Sequence, residues 1–75
     1  MSKEQTNVIE YIVCVIGAFA ERFSLTNAKA YKYLHDYNGL EFLTKHYEAE
    51  HTLSIDDAVD DIAIICHRHG GALTL

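Results

Sequence analysis

The sequence contains no proline or tryptophan, and only one methionine, two cysteines and four glycines among its 75 residues. Without proline, nothing forces a break inside a helix. With so little glycine, chain reversals are confined to a few places, chiefly Asn38-Gly39 and Gly70-Gly71. Cys14 and Cys66 both lie inside apolar helical patterns. They read as small hydrophobes in a reducing cytoplasm rather than as reactive thiols or a bridge. Basic side chains are also scarce: six Lys and Arg against eleven Asp and Glu leave a net charge of -5. That balance repels phosphate backbones and anionic lipid, so neither nucleic acid nor a membrane is an expected partner. No apolar run is long enough to matter there, since Tyr11 to Ala20 is half of the roughly 20 residues a span requires. The start, Met1 to Gln5, lacks the basic segment and cleavage pattern of a signal peptide, and a soluble cytoplasmic protein is expected.

What is present is helical periodicity. From about Gln5 to Phe23, Val8, Ile12, Val15, Ile16, Phe19 and Phe23 recur at three- and four-residue spacing, and the stretch Tyr11 to Ile16 is apolar on every face. A helix apolar all round belongs at the centre, covered by the others, with Gly17, Ala18 and Ala20 allowing a close neighbour. Ser24 or Thr26 can cap a second helix that turns Ala30, Tyr31 and Leu34 inward and leaves Tyr33 off the seam. Asn38 followed by Glu41 carries a capping-box pattern for a third, with Leu40, Leu43 and Tyr47 as its seam. Ser54 with Asp57 starts a fourth, which buries Ile55, Ala58, Val59, Ile62, Ile65 and Cys66 and stops at Gly70-Gly71. The expected architecture is one all-α domain over residues 1–75: a compact four-helix domain with helices at about 5–23, 26–36, 39–50 and 55–69, helix one central. The tail from Ala72 to Leu75 reads as loose. A core this small gains from a partner or a second copy.

The chemistry-bearing residues do not assemble into a known catalytic motif. His46 and His51 are five apart and Tyr47 follows the first, whereas a zinc-protease helix needs histidines four apart with glutamate directly after the first. A looser metal site could use His46 or His51 with Cys66 and His69, which are three apart on one face, although a core cysteine beside a helix-end histidine accounts for the same pattern. No nucleophile elbow and no phosphate loop is present, so neither an enzyme nor a cofactor is expected. A helix-turn-helix reading of helices two and three meets a would-be recognition helix, Leu40 to Glu50, with Lys45 as its only basic residue besides histidine. Tyr47 and His51, four apart, can stack, while His51, Thr52 and Ser54 could alternatively form a polar recognition edge. Asp56, Asp57, Asp60 and Asp61 form a negative stripe that a basic partner could use, with Ile64 as an apolar extension and Tyr33 as a second off-seam contact.

Leu43, then Tyr47-x-x-x-His51-Thr52-x-Ser54, then an acidic amphipathic helix ending in Cys66 and Gly70-Gly71, resembles an uncharacterised family of short bacterial and phage proteins. The Tyr33-Leu34 pair and the Asn38-Gly39-Leu40 turn fit the same pattern, so the resemblance covers nearly the whole chain. It implies a domain of unknown function without catalytic residues, encoded beside ADP-ribosyltransferase-like proteins, and hence an antitoxin or accessory role. The expected function is a non-enzymatic interaction module that binds a protein partner or a second copy of itself. Metal binding and DNA regulation are the alternatives.

Overall fold

Each helix is bounded by local chemistry that can be followed residue by residue. The computed structural model describes residues 3–71, with side chains from residue 7 onward, and the expectation of a loose tail at 72–75 falls outside the described residues. The first helix, α1 (Lys3–Arg22), ends where Ser24 adopts a left-handed conformation, φ 56°. There the amide of Leu25 donates to the carbonyl of Ala20 at 2.8 Å and that of Ser24 to Glu21 at 3.3 Å. This paired closure usually employs glycine. Ser24 therefore terminates α1, and Thr26 alone caps α2 (Asn27–Asp36), its hydroxyl accepting from the Lys29 amide at 3.1 Å.

Asn38 does not cap the third helix as its capping-box pattern predicts. It is left-handed, φ 67°, makes no cap bond, and turns its amide towards His69 Nδ1 at 3.3 Å. The expected helix over 39–50 is divided in two, α3 (Gly39–Lys45) and α4 (Tyr47–Glu50), by a break at His46, φ -110° and ψ 24°. Any recognition helix beginning at Leu40 is thus cut to two turns. The last helix, α5 (Ile55–Arg68), starts as expected, with the Asp57 amide donating to Ser54 Oγ at 3.1 Å. It closes at Gly70, φ 97°, where the Gly71 amide reaches the Cys66 carbonyl at 2.9 Å. Ser54→Ala should cost about 1 kcal/mol, read as a lower urea midpoint with an unchanged slope.

All five elements among the described residues are helical, and α1 is the spine. Its 20 residues span roughly 30 Å at 1.5 Å per residue, close to the 35 Å long axis of the fold. It packs against α2, α3 and α5, around a core of Val15, Phe19, Leu34, Leu43, Val59, Ile62 and Cys66 with four alanines between them. The other helices do not cover it all round. Ile9, Val13 and Cys14 are exposed, so the expectation of an enclosed first helix and a buried Cys14 is corrected. Gly17 meets no neighbour; the close approach occurs at buried Gly39, against Leu34 and Cys66.

The tyrosines of α2 exchange their expected roles. Tyr31 is exposed, whereas Tyr33 is half-buried, its ring 5.8 Å from that of Phe19 and 4.8 Å from that of Tyr37. The helix leans towards α1 on its Tyr33 side, where the ring packs between Phe19 and Tyr37. No described helix is long and apolar enough to cross a membrane.

Candidate functional site

The segment from Tyr47 to Ser54 is tied down by its own side chains. Tyr47 meets the edge of Tyr11 from α1, ring centroids 5.4 Å apart and planes at 74°, while His51 stacks on Tyr47 at 4.5 Å and 13°. His51 Nδ1 lies 2.7 Å from the Tyr47 carbonyl, which also accepts the His51 amide at 2.9 Å. A carbonyl only accepts, so Nδ1 carries a proton. Thr52 donates its hydroxyl to the Ala49 carbonyl at 2.7 Å, and Ser54 caps α5. Tyr47, His51, Thr52 and Ser54 thus act locally, joining the end of α4 to the start of α5.

What they hold in place is Glu50. Its side chain is turned inward and only 6% exposed, and Oε1 has no hydrogen-bond partner. The buried Tyr11 hydroxyl beside it is likewise unpaired. Burial first, and then a hydrogen bond and charge repulsion from Asp61, push the Glu50 carboxyl up to about 7. Burial, followed by the charges of Glu50, Tyr47 and Asp61, raises the Tyr11 phenol as well. The cluster can store a proton in an apolar setting. In the sequence Glu50 stands out only as a carboxylate beside His46 and His51 that invites a metal site, and Tyr11 not at all. A signal was present, because Glu50 continues the Leu40, Leu43, Tyr47 series at the same helical spacing.

Asp61 therefore leaves the expected acidic stripe and faces Glu50. Asp56 and Asp60 are held by Arg22 of α1, which forms an ion pair with Asp60, approaches the Asp56 carboxylate at 3.6 Å and donates to its carbonyl at 3.2 Å. These are exposed pairs that contribute little stability, and the single guanidinium offsets one of the four carboxylate charges. Only Asp57 keeps a solvated carboxylate outside this arrangement, and Ile64 remains exposed at 43%.

The metal candidates do not converge. His46 packs its ring on Phe42 at 4.8 Å, His69 pairs with Asn38, and His51 is engaged with Tyr47. His46 and His69 line one shallow depression together with Phe42, Lys45 and Ile65, and buried Cys66 is not part of its lining. Burial pushes the Cys66 thiol up to about 11, against a smaller opposing effect of the Gly39 backbone amide. Among the described residues, no three His, Cys, Asp or Glu side chains are grouped as a metal ion would require.

A protein-family model matches residues 6–69, a stretch that begins within α1 and runs through the end of α5. The chain belongs to the DUF3791 family. DUF3791 is described as a protein of unknown function, so the family carries no activity across to the cluster. No curated protein and no solved structure matches the chain.

Proposed function

We propose that this DUF3791 domain is a non-enzymatic interaction module that receives an amphipathic helix of another protein on the outer face of α1, in an accessory or antitoxin role. The observation that carries this reading is the row Ile9, Val13, Gly17. The first two are 46% and 61% exposed, and a Cβ added at Gly17 would meet nothing within 4 Å. A glycine inside a helix costs about 1 kcal/mol relative to alanine. This fold makes no use of its small size. A helix pressed along Ile9 and Val13 would make use of it, because the two backbones could approach closely there.

The flanking charges favour a foreign partner over a second copy. Glu10 and Glu21 are exposed beside the row, so a helix with lysines or arginines bordering its apolar stripe is complementary, whereas a second copy of this face would bring carboxylates together. The test is native mass spectrometry of the untagged protein co-expressed with the product of its adjacent gene. The expected result is a stoichiometric complex that Val13→Lys abolishes without lowering Tm. Gly17→Ala should raise the stability of the isolated protein by about 0.5–1 kcal/mol, and a bulky Gly17→Leu should weaken the complex. A complex indifferent to both Val13→Lys and Gly17→Leu would exclude this face.

A further inference from the structure

We infer that Glu50 and Asp61 hold one proton between them, and that this proton latches the α4 turn onto α5, so that residues 47–54 are released when it is lost. The inference concerns the opposite side of α1 from the docking row and stands apart from it. Glu50 is 94% removed from solvent by its 6% exposure, and its carboxyl is directed at the half-buried carboxyl of Asp61. With one proton present, the protonated Glu50 donates to the Asp61 carboxylate. With none, the buried Glu50 carboxylate faces a second negative charge on half-buried Asp61, with little water on the Glu50 side to screen the repulsion.

The groups that face the pair cannot supply the missing positive charge. Tyr11 comes from α1, Tyr47 from α4 itself and Asp61 from α5, and the neighbouring charges that act on Tyr11 are all acidic or phenolic. Arg22 is committed to Asp56 and Asp60 further along α5. The Tyr11 hydroxyl is unpaired and can donate to Glu50 only after a shift of the turn. The element that must respond is also the weakest: α4 has four residues and packs chiefly on α3. Short segments with few buried contacts open before the rest of a fold.

The sign follows from the raised value. A folded carboxyl at about 7 holds a proton that the unfolded chain releases near 4.5. The stabilisation is therefore complete below about pH 4.5, declines as the pH rises, and is gone above about 7. The experiment is a side-chain carboxyl titration of the whole protein by carbon-detected NMR, with amide exchange of residues 50–54 and Tm measured at pH 5 and pH 8. One carboxyl of the pair should titrate near 7, Tm should fall by roughly 10 °C between the two pH values, and the loop amides should exchange about tenfold faster at pH 8 than intrinsic rates explain. Glu50→Gln should flatten the excess pH dependence between pH 5 and pH 8. If Glu50→Gln does not fold, Asp61→Asn removes the second carboxylate and should reduce the pH dependence without abolishing it, because burial still raises Glu50. Carboxyls that both titrate at ordinary values of roughly 4 to 5, or a wild-type pH slope retained in the folded variant, would overturn the inference.

Discussion

Phe19→Ala should lower the unfolding free energy by about 3–5 kcal/mol, which is most of what a chain of this length possesses. Phe19 is fully buried in the last turn of α1, with the ring of Phe23 at 4.6 Å and that of Tyr33 at 5.8 Å. Truncation removes the contact that joins α1 to α2 and leaves a cavity that two flanking aromatic rings, each fixed by its own neighbours, can only partly fill. Urea unfolding followed by far-ultraviolet circular dichroism should show a midpoint displaced far towards zero, or no native baseline at 37 °C. Val13→Ala provides the internal contrast. It lies on the same helix but is 61% exposed, so its effect should stay within about 0.5 kcal/mol. If the two substitutions cost the same, α1 does not have the orientation described.

Whether a feature was legible in the sequence depended on how local its cause is. Thr26 and Ser54 cap their helices because a side-chain oxygen lies within reach of an amide three residues on, and Gly70 stops α5 because its left-handed conformation suits glycine. Such signals are complete within a few residues. The exchange of Tyr31 for Tyr33 was not legible, since both neighbour the Ala30 and Leu34 seam, and the position of Phe19 on another helix decides which is covered. The break at His46 carries neither glycine nor proline. It accompanies the packing of Tyr47 on Tyr11, again a contact between distant parts of the chain.

The proton-holding cluster was missed for a different reason. Acidic residues are almost never fully buried unless paired, so Asp61 reads as part of a solvated stripe and Glu50 as a carboxylate near His46 and His51, although both lie at positions where an apolar residue would be assigned inward. A carboxyl at a seam position is the informative exception, because the fold must compensate for it, here with a second carboxyl and a proton. The outer face of α1 shows the converse. Its apolar residues were read as interior, whereas the surrounding helices cover only one side, and the surplus is what the proposed partner would occupy.

Gly39→Ala should destabilise the protein by about 1–3 kcal/mol, even though alanine is the better helix former. Gly39 opens α3 at the junction of α2, α3 and α5, and a Cβ there would stand 2.9 Å from Cys66 Sγ and 2.9 Å from Leu34 Cδ2. Both neighbours are fully buried, so neither can rotate into solvent. The helix must move instead, which uncovers the thiol. Cys66, held protonated by burial, should label with a thiol reagent only on unfolding in the native protein, while exposed Cys14 labels at once. In a Cys14→Ser background, Gly39→Ala should therefore quicken Cys66 labelling along with the fall in stability. Cys66→Ala removes one of the two obstructing atoms, and in that background the cost of Gly39→Ala should shrink by 0.5 kcal/mol or more, roughly the coupling expected of residues in contact. Leu34 prevents full rescue. A cost that is identical in both backgrounds would place the strain entirely on Leu34, and a Gly39→Ala protein as stable as the parent would mean that α3 does not pack on α5 through this glycine.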